Sequence, residues 1–184
     1  MKRQESLKIF VLAPMFAALT AAGAFIKLPL PWVPLTLQTL LVFLSGLILG
    51  SRGGALSQIL YISIGLVGLP IFAGGGGPAY VLSPTFGYLV AFIPAAFVIG
   101  LFSERDGFVW SGVGVLIGLI IVYIVGIPYL YFSVNYILGK EMTILNALKL
   151  GFFVPIWGDL IKSGVALGIF YSAKSVLSLP VSKR

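Results

Sequence analysis

Long apolar runs, broken by short Gly/Pro-rich or charged stretches, dominate this chain. A membrane-spanning helix needs about 20 apolar residues, each rising 1.5 Å, to cross roughly 30 Å of hydrocarbon. The pattern predicts six such helices. The first covers about 7–26 and stops at Lys27 and the turn "LPLPWVP". The second covers about 36–50 and stops at Ser51-Arg52-Gly53-Gly54. The third covers about 55–72 and stops at "AGGGGPAY". The fourth covers about 88–102 and is followed by Glu104-Arg105-Asp106, and the fifth covers about 109–131. The sixth begins within 147–155 and runs to about Ser175. The expected fold class is an all-α membrane protein, six transmembrane helices in one compact bundle, with residues 1–184 as a single integral-membrane domain.

Composition agrees. Of 184 residues 59% are hydrophobic and 9% charged, where a soluble domain carries about 25% charged residues. No charged residue occurs between Gly53 and Ser103. With six spans both termini share a side. That side holds Lys2, Arg3, Lys8, Arg52, Arg105, Lys174, Lys183 and Arg184, and the other holds Lys27, Lys140 and Lys149. Cytoplasmic loops of membrane proteins are enriched in Lys and Arg, which places both termini in the cytoplasm. The net charge of +7 is thereby explained by orientation in the lipid bilayer, and no nucleic-acid partner is expected. The first segment is too long and too Ala-rich for a signal peptide and is taken as the first span. Absence of Cys and His removes disulfides, thiolate nucleophiles and the usual zinc sites, so no metal is expected.

Small residues recur at a spacing of four. Ala13, Ala17 and Ala21 do so in the first span, with Ala18 and Ala22 beside them; Gly46/Gly50, Gly114/Gly118 and Gly164/Gly168 follow the same rule. Such faces let helix backbones approach closely in lipid. Internal packing accounts for most of them, but the three-turn stripe of the first span is also a candidate for docking a partner subunit.

The chemistry concentrates in Ile156–Gly164, "IWGDLIKSG". Asp159 and Lys162, three apart on a helix, share one face. Each costs about 2.5–3.5 kcal/mol at the centre of a span. Either they neutralise each other and staple helices, or they face a ligand cavity. In the second case the carboxylate accepts from N–H groups and the ammonium donates to a carbonyl or a carboxylate. Gly74-Gly75-Gly76-Gly77-Pro78 lacks the Gly-Lys-Ser/Thr of a phosphate loop. It is either a flexible connection or a lid whose backbone, at Gly75 and Gly76, contacts a ligand. Trp32, Tyr80 and Trp157 sit near the outer boundary, as belt aromatics or as stacking partners for a ring. Gln38 and Tyr88 bring polar groups to the outer ends of spans, for helix–helix bonding or for the pocket. No ATPase motif is present and nothing supplies an obvious nucleophile, so a transporter or binding subunit is favoured over an enzyme, with a ligand-free scaffold as a third class.

The ordered motifs Pro34-Leu-Thr-Leu-Gln-Thr39, Gly68-Leu-Pro-Ile-Phe-Ala-Gly-Gly75, Pro84-Thr-Phe-Gly-Tyr88 and Gly158-Asp-Leu-Ile-Lys162 resemble the BioY family over about 13–167. That family comprises the biotin-binding membrane subunits, or S components, of energy-coupling factor (ECF) transporters. Phe86 stands where its members often carry Gly. The resemblance implies a six-helix subunit of a prokaryotic plasma membrane with an outward-facing biotin pocket and no bound cofactor. It implies partners too: a transmembrane coupling protein and two cytoplasmic ATPases, with Ala18 and Ala22 or their neighbours as the docking surface. Asp159 would accept from a ureido N–H of biotin, and Lys162 would donate to the ureido oxygen or pair with the tail carboxylate. Gly75 and Gly76 would bring backbone amides to the ligand, and Tyr88 or Trp32 would pack on its rings. An S component for another small vitamin is the alternative within this class.

Overall fold

The computed structural model describes residues 2–105 and 107–177. Asp106, after the fourth predicted helix, and Lys183 and Arg184 of the charge count lie outside the described residues, as do the side chains of Lys2, Arg3 and Lys8. The described chain is helical apart from its connections: α1 (Lys2–Phe25), α2 (Gln38–Leu66), α3 (Phe86–Ser103), α4 (Phe108–Phe132), α5 (Ile144–Leu148) and α6 (Ile156–Leu177). Two two-residue strands, β1 (Lys27–Leu28) and β2 (Leu35–Thr36), pair antiparallel and close the α1–α2 connection into a strap. Among the described residues four helical stretches are long and apolar enough to cross a membrane: Gln38–Leu66, Phe86–Ser103, Phe108–Ile137 and Ile144–Ser175, with Ile9–Phe25 a shorter apolar helix.

α2 is a hairpin. Gly50 has φ 72° and ψ −174°, a left-handed conformation open to Gly at little cost. Gln38 Nε2 lies 2.8 Å from Tyr61 Oη, although 23 residues of continuous helix would separate them by about 34 Å. The arms 38–49 and 51–66 therefore run antiparallel. The expected break at Ser51-Arg52-Gly53-Gly54 falls one residue earlier. Gly53 and Gly54 belong to the second arm, where their lack of a side chain serves packing: a Cβ on Gly54 would sit 2.9 Å from the Gly46 Cα.

The third predicted span is also shorter than expected. Its helix ends at Leu66, because Gly68 (φ 127°) and Pro70 break it. Residues 67–77 then fold back. Phe72 is buried, meeting Tyr61 edge-on at 5.4 Å and Tyr80 at 4.6 Å between ring centroids. Gly77 N donates to Gly65 O at 2.7 Å. The fifth span continues past Tyr131 into a wide π-type turn, Ser133–Ile137, and the sixth enters through α5, a second π turn (Lys149–Phe153) and Pro155.

Helix contacts follow the small residues, with two departures. α1 buries Ala13, Phe16, Ala17, Thr20, Gly23 and Ala24, a face of helical period turned to α2. Gly46, Gly114 and Gly118 admit the backbone or side chains of α3. Gly50, expected in a packing face, is instead the hairpin turn. Gly164 and Gly168 pack against nothing: a Cβ on either meets no atom within 4 Å. At the hairpin end, Glu104 Oε1 accepts from Ser51 N (3.0 Å) and Ser51 Oγ (2.8 Å). This carboxylate satisfies one amide left unpaired where the second arm begins, together with the hydroxyl of the same residue. Gly100 makes the approach possible, since a Cβ there would lie 2.1 Å from Ser51 N.

Gly100→Ala should therefore lower stability in detergent by about 1–3 kcal/mol through overpacking against backbone. Gly168→Ala should leave it unchanged or raise it slightly. Thermal unfolding of both purified variants checks the contrast; equal midpoints would contradict the packing described.

Candidate functional site

α6 starts just after Pro155, and Asp159 N closes its first turn on the Pro155 carbonyl at 3.1 Å. Asp159 thus sits in the first turn of a helix, where the dipole favours an anion. One turn on, Lys162 Nζ lies 2.5 Å from Asp159 Oδ1. Three further segments close on this pair. Thr39, in the first turn of α2, donates from Oγ1 to Asp159 Oδ1 at 2.8 Å. Tyr123, midway along α4, donates from Oη to Oδ2 at 2.5 Å. The strap carbonyl of Thr36 accepts from Lys162 Nζ at 2.8 Å. Asp159 is only 4% exposed, so these bonds replace the water it would otherwise hold.

The pair lines a half-open cleft of about 50 Å³. The strap supplies Val33 to Thr36, and α2 supplies Gln38 and Thr39. Tyr88, Leu89 and Phe92 come from α3, and Val122 and Tyr123 from α4. Ala73, Tyr80, Thr85 and Pro155 complete the lining. The space holds only a few water molecules, so a larger ligand needs the strap or the 67–85 segment to part.

The expected site residues divide. Asp159, Lys162, Gln38, Tyr88 and Tyr80 meet at the cleft. Gln38 is held by Tyr61 and by Thr36 Oγ1, which donates to its Oε1 at 3.0 Å. Tyr88 turns its hydroxyl away to Gly151 O (3.0 Å) and presents its ring, edge-on to Tyr123. Gly75, Gly76 and Trp32 stay outside the lining. Gly75 exchanges backbone hydrogen bonds with Phe72, and a Cβ on Gly76 would sit 2.1 Å from the Leu69 carbonyl oxygen. These glycines shape the loop by close backbone packing. Trp32 has φ 67°, with Val33 N donating to Pro31 O at 2.8 Å, and its ring lies 5.1 Å below the Lys140 ammonium. It fixes the tip of the strap. Phe86 opens α3 with its ring edge-on to Tyr129.

Thr39, Tyr123 and the Thr36 carbonyl were not foreseen. A signal existed for Tyr123: it is a hydroxyl inside the apolar run Leu119–Ile127, and the acid of α6 needed a donor there.

The five expected docking alanines divide between the α2 contact and the outer surface, with Ala17 also bordering the outer groove. Ala13 and Ala17 are buried, 0% and 3% exposed, because their face of α1 is the one packed on α2. Ala18 and Ala22 are exposed and Ala21 lies between, along a groove of about 470 Å³ walled by Phe25, Ile64 and Leu69.

Residues 1–178 match the sequence model of the BioY family. The chain belongs to the BioY family. It is 50% identical over 165 residues to a probable biotin transporter BioY of Lysinibacillus sphaericus, covering 86% of this chain and 83% of that one. It is 42% identical over 162 residues to the biotin transporter BioY of Thermotoga maritima, covering 87% and 92%. The crystal structure of the S-component for biotin from an ECF-type ABC transporter superposes with a TM-score of 0.82 at 27% identity, covering 95% of both chains.

In this BioY-family chain the ion pair is coupled to its surroundings. Lys162→Met would strand a buried carboxylate and should cost about 3 kcal/mol. The double variant Asp159→Asn/Lys162→Met should recover most of that loss. Chemical denaturation in detergent measures both, and equal costs for single and double variants would show that the carboxylate does not depend on Lys162.

Proposed function

We propose that this chain captures biotin in the Asp159–Lys162 cleft, as the substrate-binding S component through which an ECF transporter takes the vitamin up. It is a transporter subunit and not an enzyme. The observation that carries the site assignment is what the ion pair leaves unused. A carboxylate offers about four acceptor directions. Asp159 Oδ1 takes Thr39 and Lys162, and Oδ2 takes Tyr123. An acceptor direction remains on Oδ2. An ammonium has three protons; Lys162 gives one to Asp159 and one to the Thr36 carbonyl. One acceptor and one donor side by side, among apolar walls, match the N–H/C=O edge of a urea. Biotin presents that edge on its ureido ring, and its thiophane ring suits Phe92, Leu89 and the Tyr88 ring.

The two arms of α2 count as separate spans, which brings the bundle to six with α5 leading into α6. Residues 1–184 act as one domain of a prokaryotic plasma membrane, with both termini cytoplasmic and the cleft facing out. Supporting this, Ser51 at the α2 turn bonds Glu104 at the end of α3, which groups Arg52 with Arg105. Lys27 and Lys140 lie with the strap at the opposite end. A transmembrane coupling protein and two cytoplasmic ATPases complete the transporter, and the exposed Ala18/Ala22 side of α1 is its docking face. No cofactor is assigned; biotin is the ligand.

Asp159→Ala should insert normally and lose biotin affinity by about 10- to 100-fold, the worth of a hydrogen bond to a charged group. Equilibrium binding of radiolabelled biotin to the purified chain in detergent tests this. Wild-type affinity in a correctly folded Asp159→Ala sample would refute the site assignment. Tyr123→Phe keeps the ring and removes one donor to Asp159, and should weaken binding by a smaller factor of about 5–10.

A further inference from the structure

We infer that the acid group of the ligand is held at a second pole of the same cleft, built from Lys27, Tyr80 and Thr85, and not by Lys162. This rests on the biotin reading above. The ion-pair pole is unsuited to a carboxylate. Lys162 Nζ is 2.5 Å from Asp159 Oδ1, so any acid bonded to Lys162 would be brought close to a second carboxylate. Like charges that near each other in a poorly solvated site repel strongly. A neutral urea edge meets no such repulsion and uses both free groups.

The rim formed by Ala73, Tyr80 and Thr85 has the opposite character. Ser83 Oγ and Thr85 Oγ1 lie 3.1 Å apart, and Thr85 Oγ1 and Tyr80 Oη lie 3.1 Å apart. Three hydroxyls thus share two mutual bonds, which occupy two of their three protons. Gly74 N–H is already spent on Tyr80 Oη at 3.3 Å. Lys27 Nζ donates to the Ala73 carbonyl, and Ala73 lines the cleft. The ammonium spends one of its three protons there. The three residues of this pole, Lys27, Tyr80 and Thr85, therefore carry a net positive charge and surplus donors. A carboxylate, which only accepts, complements it. The position fits as well. Thr85 is the residue before α3, three positions ahead of Tyr88, and both line the cleft. Biotin's carboxylate lies at the far end of an apolar chain from its ureido ring, so an anchored ring sends the acid along the walls of Val33 and Leu89 to this rim.

The test compares biotin with biotinamide, which keeps the ring and replaces the acid by an uncharged amide. Both are measured by equilibrium binding to the purified full chain in detergent. Lys27→Met, at an exposed position, should raise the Kd for biotin about tenfold or more, as expected for losing a charged hydrogen bond, and change that for biotinamide less than about twofold. Tyr80→Phe should show the same selectivity to a smaller degree. Lys162→Met should weaken both ligands alike and preserve the wild-type preference for the acid. Equal loss of both ligands in Lys27→Met, or no loss of either, would overturn the inference. So would loss of acid-over-amide preference in Lys162→Met, which would put the acid on Lys162. Failure of wild type to bind either ligand would instead remove the biotin reading itself.

Discussion

A carboxylate buried among apolar helices has little water to fall back on, and the architecture around Asp159 follows from that constraint. Its oxygens take bonds from Thr39, Tyr123 and Lys162, and Lys162 in turn needs the Thr36 carbonyl. These partners come from the strap, α2, α4 and α6. Satisfying one charge therefore fixes four segments against one another. The cleft is the place where that convergence stops short of completion, with an acceptor on Asp159 and a proton on Lys162 left over for something else.

The rest of the bundle keeps those segments in register. In lipid, packing between helices comes from close backbone approach more than from exclusion of water. Gly46, Gly54 and Gly100 supply it along the α2–α3 contact. A second buried polar cluster ties α1 to both arms of α2: Gln58 Nε2 reaches Ser45 Oγ at 3.2 Å, Ser57 Oγ at 3.0 Å and Thr20 Oγ1 at 3.4 Å. Around the cleft the connections are pinned individually. Phe72 fills the slot left by Gly65, Lys27 clasps Ala73, and Asn135 holds Met142 through both backbone groups. Trp32, with the single positive φ outside glycine among the described residues, sits in a one-residue turn of a rare and strained kind. The Lys140 ammonium over its ring compensates part of that cost.

The two ends of the bundle differ. One end of the bundle, with Ser51, Arg52, Glu104 and Arg105, is short-looped and rigidly capped. The other carries the strap, the 67–85 segment and the cleft. A binding subunit of a multi-part transporter needs both properties, because it must admit a small molecule at one side and offer stable surfaces to its partners.

Much of this was legible in the sequence. Long uncharged runs admit no soluble fold, because so much apolar surface cannot be hidden in a chain of 184 residues. The Asp159–Lys162 spacing predicted a shared helical face, since the period of a helix is local. Loop glycines and Trp32 were harder. Their placement off the cleft depends on backbone approach to Leu69 and on a strained turn, neither of which leaves a mark in composition. Tyr123 left a local signal, a hydroxyl in an apolar run, but its pairing and that of Thr39 with Asp159 were out of reach because they lie 36 and 120 residues from it. The sequence by itself determined the environment, the helices and the charged pair, all properties of residues near one another in the chain. Only the tertiary structure decided which hydroxyls complete the carboxylate, which alanines face outward and where the cleft opens, because those depend on how distant helices rotate to satisfy groups that lipid cannot.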